Sequence, residues 1–423
     1  MREMKDSGIE WIGQIPNSWT VRRGKTLFVN TKYIPGKLSS NYDRLSLTLK
    51  GVLPRKKDDS DGLQPKDFDT YQLLRKNELV FKLIDLQNVS TSRVGLAHAT
   101  GLVSPAYIVL HANEEILPAF AEKFYLMMWY REIFNSLGDN GVRSSLNVSD
   151  LLNIPVCYPK MEEQIFLTNY LDTKCSEIDA TAEDIQKEID LLEEYKKSVI
   201  TEAVTKGLNP DAEMKDSGIE YIGITPIHWN KYRLKYILLE RNIRTTTGEE
   251  MLLSVSQYKG VVPSKDINNR TMQANSLIGY KIVKKDDLVF NKLNPGLARF
   301  GNSEFDGITS PDFSVYIVDD KKCTAKFLQH LLKTYKYVAK IKGDCTGVGD
   351  GFARLYSEQL YRFVVSLPPI EELHSIVAYI DSKSSEIDAL IADKKRQLDI
   401  LADYKKSLIY EYVTGKKEVP VNE

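Results

Sequence analysis

Two short segments in the second half of the chain contain residue types that act in DNA-modifying enzymes. Pro311-Asp312, with Asp320 and Lys322 further on, has the order of a nuclease motif whose two carboxylates hold a metal ion. Asn294-Pro295-Gly296 begins like the motif of adenine methyltransferases, but it lacks the second proline and the aromatic ring that stacks on a flipped base. In the first half, Ala106 stands where Asp312 stands in the second. We therefore expect neither segment to be catalytic.

Other catalytic patterns are absent from the sequence. It has no Gly-rich phosphate loop of the GxxxxGKS type, no GxSxG and no HExxH. The five histidines include no pair at helical spacing. The cysteines are too far apart in sequence for a metal site, so we expect reduced, mostly buried thiols at Cys157, Cys175, Cys323 and Cys345. The chain is predicted to bind, with no catalytic residue, no metal and no cofactor of its own.

The candidate binding residues are basic or amide side chains in turns and at strand ends. Lysine and arginine bind phosphate or read guanine edges, and asparagine can read adenine. The alternative for each residue is that its side chain is exposed and contacts no ligand. The prediction that the set takes part in binding is stronger than the prediction for any one residue. The candidate binding residues are Lys50, Lys82, Arg143, Lys259, Asn291, Lys292 and Arg354.

These candidates lie in two copies of one repeated unit. Nine of the ten residues of Met4–Gly13 recur at Met214–Gly223, with Trp11 replaced by Tyr221. The match continues at an offset near 209 through LSLTLKGVLP and LSVSQYKGVVP, ELVF and DLVF, and SEIDA in both halves. Such a repeat indicates two equivalent structural units.

Each unit has the same internal order. A Gly/Pro-rich lead-in precedes a globular part of about 140 residues with short β-type runs and one helical pattern, and a long polar helix closes the unit. The predicted fold is α+β, with two tandem α/β-mixed domains each followed by a long helix. The predicted domains are 1–160 (lead-in and first globular domain), 161–213 (first helix and linker), 214–369 (lead-in and second globular domain) and 370–423 (second helix and tail).

The closing helices have a narrow apolar stripe at steps of three and four residues. Such a seam on a charged helix is typical of a coiled coil, so we expect the two helices to pair with each other, although each could instead pack on its own domain. The stripe runs through Tyr195 and Tyr404, and Lys394 interrupts it. The predicted pairing seam comprises Ile178, Ile185, Ile189, Leu192, Val199, Ile387, Ile391, Leu398, Leu401 and Leu408.

Charge is divided unevenly along a chain whose net charge is −1. The globular parts, 19–160 and 229–369, carry +5 and +8, whereas 161–213 and 370–423 carry −9 and −3. A polyanion would therefore be attracted to the globular parts and repelled by the helices. No apolar run approaches the length of a membrane span and the N-terminus has no signal-peptide core, so a cytoplasmic location is expected.

These repeated motifs, together with LVFNKLNPG, SPAY/SPDF and the EEQ…SEIDA…YKKS…VTKG order, resemble the specificity subunits of type I restriction–modification systems. The resemblance covers nearly the whole chain. It implies two target-recognition domains, each reading one half of a split DNA site, on two antiparallel helices related by a pseudo-two-fold axis. It also implies two modification (methyltransferase) subunits with S-adenosylmethionine, and restriction subunits with ATP and Mg²⁺.

Two other interpretations remain open from the sequence. A stand-alone DNA-binding or scaffold protein with two similar heads, without restriction partners, would have the same repeat. A metal-dependent nuclease using Asp312 and Asp320 is the third. The resemblance implies a non-catalytic subunit, and it leaves the two half-sites and the spacer between them unspecified.

Overall fold

The computed structural model describes residues 2–57, 67–87, 91–138, 145–257, 260–266, 276–293, 295–346 and 353–420. The chain forms two compact units. Unit 1 comprises Met1–Gln186 and Lys395–Glu423, and unit 2 comprises Lys187–Lys394. Unit 1 therefore contains both ends of the sequence, and each unit contains part of both long helices.

In the described part of unit 1, twelve strands and three short α-helices precede the first long helix. The strands are β1 (Met4–Asp6), β2 (Gln14–Pro16), β3 (Thr20–Arg23), β4 (Phe28–Asn30), β5 (Arg44–Thr48), β6 (Gly51–Arg55), β7 (Gln72–Leu74), β8 (Leu79–Phe81), β9 (Val94–Leu96), β10 (Gly101–Val103), β11 (Ile108–Ala112) and β12 (Pro155–Tyr158). The helices are α1 (Pro118–Tyr130), α2 (Ile133–Leu137), α3 (Val148–Asn153) and the long α4 (Met161–Lys206), whose last residues belong to unit 2.

Unit 2 repeats this order. Its strands are β13 (Met214–Asp216), β14 (Ile224–Pro226), β15 (Asn230–Arg233), β16 (Leu238–Glu240), β17 (Leu253–Ser256), β18 (Gly260–Pro263), β19 (Lys281–Val283), β20 (Leu288–Asn291), β21 (Phe300–Asn302), β22 (Gly307–Thr309), β23 (Phe313–Val318) and β24 (Val364–Leu367). Its helices are α5 (Ala325–Leu332), α6 (Tyr335–Gly343), α7 (Ser357–Arg362) and the long α8 (Ile370–Val413), whose last residues belong to unit 1. The predicted mixed α/β fold with a long helix after each globular part is confirmed.

The first head, residues 19–160, is built on two four-stranded sheets. Their strand orders are β6-β5-β10-β7 and β4-β11-β8-β9, and β12 pairs with β3. In the second head, residues 229–369, the sheet β16-β23-β20-β21 has the order of its counterpart, while the other sheet is divided into the pairs β17-β18 and β19-β22. A parallel bridge between Leu252 and Ile308 joins those two pairs, as β5 joins β10 in the first head. The paired strands of the two heads therefore have the same register, which gives each paired strand residue of one head a counterpart in the other.

The acidic residue of the repeated motif ELVF/DLVF stabilises the turn before the strand. Asn77 and Asp286 adopt left-handed φ angles of 68° and 67°, which asparagine and aspartate tolerate better than most residues. The carboxylates that follow are buried, and each accepts the backbone N–H three residues earlier, Arg75 to Glu78 at 2.7 Å and Lys284 to Asp287 at 2.8 Å. The motif thus closes a turn and starts the central strand of each head.

The repeated lead-in connects each head to two helix ends. In unit 1 the buried Trp19 donates its indole N–H to Glu163 at the start of α4, and in unit 2 Trp229 donates to Glu372 at the start of α8. After α8, Gly415 (φ 69°) lies against Pro16 and Trp19, where a Cβ atom would overlap the Pro16 ring. The lead-in therefore recurs because each unit needs it to hold the start of one long helix and the end of the other.

The two large hydrophobic cores also include long-helix residues. In unit 1, Leu408, Ile409 and Val413 of α8 are buried with the aromatic cluster of the first head. In unit 2, Ala203 and Val204 of α4 are buried together with Leu373 and Ile376 of α8. At roughly 25 cal/mol per Å² of buried apolar surface, such contacts are a main source of stability.

The long helices run antiparallel within each unit. In unit 1, Lys405 Nζ is 2.7 Å from Asp179, and the Tyr170 and Tyr412 ring centroids are 4.9 Å apart. Residues later in α4 therefore contact residues earlier in α8, as in an antiparallel pair. In unit 2 the same direction follows from two ion pairs, Lys196–Asp388 and Lys394–Glu188.

Candidate nucleic-acid interface

In the second head, two of the candidate binding residues come together. The backbone N–H of Leu355 donates to the carbonyl of Lys292 at 3.2 Å, and Leu293 forms an antiparallel bridge with Arg354. Arg354 also exchanges two backbone hydrogen bonds with Thr346, at 2.8 and 2.9 Å. The segment before α7 is thereby held beside the end of β20, with Arg354 exposed and Lys292 half-buried. The backbone at Lys292 and the backbone at Arg354 therefore lie side by side at this junction.

The first head has the same junction. The N–H of Leu146 donates to the carbonyl of Leu83 at 2.9 Å, which holds the segment before α3 beside the end of β8. Lys82 lies at this junction and donates to the hydroxyl of Thr91 at 3.0 Å. Its pKa is lowered by burial and by the neighbouring charge of Arg93. Arg143 lies outside the described residues.

Arg93, which was not predicted from the sequence, shapes the loop that carries Lys82. This guanidinium is almost completely buried and donates to the carbonyl of Asp85 at 2.6 Å and to those of Lys82 and Ile84 at 3.4 Å. A buried arginine must be well hydrogen-bonded to offset its desolvation. Arg93 is therefore a positioning residue for the end of β8, and an arginine in the apolar run SRVGLA was the available signal.

Strand register gives the same correspondence between the two heads as the aligned ELVF and DLVF motifs. Phe290 pairs with Ser314 and Phe81 with Ile108, so the residue equivalent to Lys82 is Asn291, while Lys292 corresponds to Leu83. Asn291 is 9% exposed, and its amide oxygen accepts the backbone N–H of Leu293 at 2.9 Å. Its role in reading adenine stays a prediction, but that oxygen already has a structural partner.

Lys50 lies at the tip of the hairpin formed by β5 and β6. Its side chain is 80% exposed and its Nζ is 3.6 Å from Glu183 on α4. An exposed ion pair of this kind contributes only about 0–1 kcal/mol, so a phosphate could replace the carboxylate at little cost. Lys259, at the corresponding hairpin of the second head, lies outside the described residues.

The predicted seam residues are buried or half-buried throughout. Ile189, Ile387 and Leu408 are 2–4% exposed. The stripe was extended wrongly through Tyr195 and Tyr404, which are 55% and 54% exposed because they lie on the outer side of their helices. Lys394 interrupts the stripe to form its ion pair with Glu188. The half-buried members are Leu192, Val199, Leu398 and Leu401, and Ile178, Ile185 and Ile391 are buried at 8–9% exposure.

The second head contains a polar network that was not predicted from the sequence. Glu240 accepts the Lys281 ammonium at 3.2 Å and the Ser357 hydroxyl at 2.7 Å, and Ser357 also contacts the Tyr316 hydroxyl at 2.9 Å. Burial favours the neutral acid, but hydrogen bonds from Ser357 and Lys281 and the charge of Lys292 outweigh it and lower the pKa of Glu240. The signal that could have revealed it was a lysine in the strand KIV, where the first head has glutamine.

The residues considered for catalysis are not assembled into a site in the part of the chain that the structure describes. Lys322 binds Asp319 and the carbonyl of Tyr236, and Asp312 takes part in a turn with Ser310. Among the described residues, no group of three or more His, Cys, Asp or Glu side chains could hold a metal ion. Asn294 lies outside them. The four cysteines are free thiols, as predicted.

The chain has relatives that match it over nearly its whole length. It is 22% identical to a putative type I restriction enzyme MjaX specificity subunit of Methanocaldococcus jannaschii, over 96% of each chain. It is also 22% identical to the EcoKI specificity subunit of Escherichia coli, over 90% of this chain and 86% of that one. Its relatives are type I restriction specificity subunits. The resemblance inferred from the repeated motifs is thereby confirmed, although no protein-family model matches the chain.

Solved structures of type I specificity subunits share the fold. A chain from a study of complex assembly and conformational transition of the type I R-M system superimposes with a TM-score of 0.67, at 13% identity, over 95% of this chain and 99% of that one. The HsdS subunit of Thermoanaerobacter tengcongensis gives a TM-score of 0.50, with 95% and 98% covered. No helix within the described ranges is long and apolar enough to cross a membrane.

Proposed function

We propose that this chain is the DNA sequence-recognition subunit of a type I restriction–modification complex. In this proposal each head reads one half of a bipartite target, and the chain itself catalyses nothing. The observation that carries it is that both heads present the same backbone junction, at the end of β8 and of β20, with different side chains on it. Two equivalent frames with different surfaces suit two different half-sites.

Charge supports DNA as the ligand. The two heads carry +5 and +8, whereas the helix segments carry −9 and −3. Phosphate contacts provide most of the sequence-independent affinity for DNA, and a carboxylate-rich helix repels the same backbone. DNA would therefore contact the heads and avoid the outer surfaces of α4 and α8.

The long helices would set the distance between the two half-sites. The antiparallel contacts within each unit support a continuous antiparallel coiled coil with pseudo-two-fold symmetry, in which the seam residues pack against each other. The seam from Ile178 to Ala203 covers 26 residues, about 40 Å at ~1.5 Å per residue. This approximates one turn of DNA, about 34–36 Å, which is the usual spacing of half-sites bound by two-fold-symmetric readers.

The proposed partners are those that the family resemblance implies. Two modification subunits would supply S-adenosylmethionine chemistry, and restriction subunits would supply ATP-driven translocation and Mg²⁺-dependent cleavage, all in the cytoplasm. The proposed domains are 1–160, 161–213, 214–369 and 370–423, with the heads as recognition domains. One of the structural neighbours was solved in a study of the assembly of the type I R-M system, which fits a subunit that works only with others.

Selection from a randomised DNA duplex library tests the proposal. The purified full-length chain, alone and with co-expressed modification subunits from the same source, should enrich a motif of two short half-sites with a fixed unspecified spacer. Affinity without sequence enrichment in both samples would contradict the recognition role. Enrichment together with failure to capture any methyltransferase from the native cell would favour a stand-alone two-headed DNA-binding protein.

A further inference from the structure

The network around Glu240 lies at the edge of the candidate DNA surface of the second head. Ser357 is the first residue of α7, directly after the segment that carries Arg354. Lys292, on the other side of the same junction, is close enough to lower the pKa values of both Glu240 and Lys281 by its charge. The network therefore adjoins the two cations that the structure brings together.

Strand register identifies the residues that the first head has in the same places. Glu240 lies opposite Tyr316 in the second head, and Asn30 lies opposite Leu110 in the first, so Asn30 is the counterpart of Glu240. Lys281 and Gln72 are the first residues of the equivalent strands β19 and β7, so Gln72 is the counterpart of Lys281. The counterparts of Ser314 and Ser357 are Ile108 and Val148, from the strand pairing and from the first residue of the helix. The first head thus forms the same framework with neutral residues at all four places. The framework does not require the ionic network.

Within the network, the Glu240 carboxylate is held in one orientation and is partly exposed, whereas Lys281 is buried. Lys281 is buried, with 4% of its side chain exposed, whereas 28% of the Glu240 side chain is exposed. One carboxylate oxygen accepts Lys281 and, at 3.4 Å, Ser314, while the other accepts the Ser357 hydroxyl. A carboxylate oxygen can accept more than one hydrogen bond, so the oxygen facing Ser357 retains capacity. Lys281 also offsets the negative charge that would repel phosphates.

We propose that Glu240, held by Lys281 and Ser357, is a specificity-determining residue of the second head, which accepts a hydrogen bond from the exocyclic amine of a cytosine. A carboxylate can only accept, and cytosine N4 is the major-groove donor that glutamate and aspartate contact. The inference rests on the proposed function, because it assigns one base of the half-site that the second head reads. Asn30, at the same place in the first head, is neutral and donates an amide N–H to the carbonyl of Val109 at 2.9 Å, so the first head would not make this carboxylate contact.

The test transplants the neutral pair of the first head into the second. The double variant Glu240→Asn/Lys281→Gln uses residues that the chain already accommodates at equivalent positions, and Glu358→Gln removes an exposed carboxylate one residue beyond Ser357 as a control. Each full-length protein is used in selection from the randomised duplex library, and thermal unfolding reports whether it is folded. In the wild type and the control, one position of the second half-site should be cytosine.

In the double variant, preference for that cytosine should fall about tenfold, the low end of the cost of one lost base contact, while the first half-site stays unchanged. An unchanged second half-site in a folded double variant would overturn the inference and leave the proposed function intact. If the double variant does not fold, Ser357→Ala decides in the same assay, because it removes only the hydroxyl that orients the carboxylate. A wild-type protein that selects no motif would contradict the proposed function itself.

Discussion

Lys405 and Asp179 lie 226 residues apart in sequence and form an ion pair of 2.7 Å between α8 and α4. The equivalent residues in unit 2, Lys196 and Asp388, form the same pair at 2.6–2.7 Å. Each lysine binds both carboxylate oxygens of its partner. The repeated sequence thus produces a repeated contact between different helices, which fixes the antiparallel direction within each unit.

Packing along the seam should contribute measurably to stability. Ile189 and Ile387 are 2% and 3% exposed, so replacing either by alanine should cost about 2–4 kcal/mol because it leaves a cavity. Calorimetric unfolding of each variant would show a lower Tm for the affected transition. Leu191→Ala is the matched control, since Leu191 is 64% exposed on the same helix. Equal Tm values for Ile189→Ala, Ile387→Ala and the control would show that the stripe is not a packed interface.

Lys82 and Lys292, at the ends of β8 and β20, should bind DNA phosphates through contacts that weaken with salt. The double variant Lys82→Glu/Lys292→Glu should weaken binding of the assembled complex to its target and reduce the slope of log K against log salt by about two, one for each lost phosphate contact. Lys197→Glu, at an exposed position of α4, is the control for a change of total charge. Methylation and a salt slope that match those of wild type would remove both lysines from the interface.

Acid should destabilise the protein through His330. Burial lowers the pKa of His330 to about 4; the charge of Asp381 favours protonation, whereas those of Lys326, Lys333 and Lys196 oppose it. Between pH 6.5 and 4 the unfolded chain therefore binds a proton that the folded chain does not, so stability falls as the pH is lowered through that window.

The size of the effect can be measured against His330→Leu, which cannot titrate. The free energy of unfolding of the wild type, measured relative to that of the variant, should be about 2 kcal/mol lower at pH 5 than at pH 7.5. Thermal unfolding at the two pH values gives the comparison. A stability difference between the two proteins that does not change with pH would mean that His330 is not buried as a neutral side chain.

The repeat made much of this architecture predictable from the sequence. Periodicity located both long helices, and the aligned motifs located Lys82 and Lys292 at strand ends, because neighbouring residues determine such features. Strand pairing between distant parts of the chain could not be predicted, since it depends on hydrogen bonds between residues far apart in sequence. Lys281 was not predicted for the same reason, because its partner Glu240 is 41 residues away. Arg93 was not predicted because its partners are backbone carbonyls of a loop 8–11 residues away, whose conformation the sequence does not specify.

The helices should act as a ruler. Seven residues inserted after Ala182 and after Ile391 keep the heptad in phase and lengthen both helices by about 10 Å at ~1.5 Å per residue. This length is close to three base pairs at roughly 3.4 Å each. The selected motif should keep both half-sites and gain about three unspecified base pairs. Three base pairs also rotate one half-site by roughly 100°, so a rigid ruler could instead lose binding.

An unchanged spacer at full methylation activity would contradict this role for the helices. A four-residue insertion at the same two places provides the matched control, because it lengthens the helices but takes the seam out of its heptad phase. It should lower the Tm and reduce methylation, whereas the seven-residue insertion should leave the Tm nearly unchanged.

Replacement of one head tests the central claim most directly. Residues 19–160 would be exchanged for the equivalent head of a relative, and N6-methyladenine would be mapped across the genome of cells that express the hybrid with its modification subunits. If each head reads one half-site, one half of the methylated motif changes, and the other half and the spacer length stay the same. A hybrid that is folded and active but changes both halves, or neither, would contradict separate readout by the two heads.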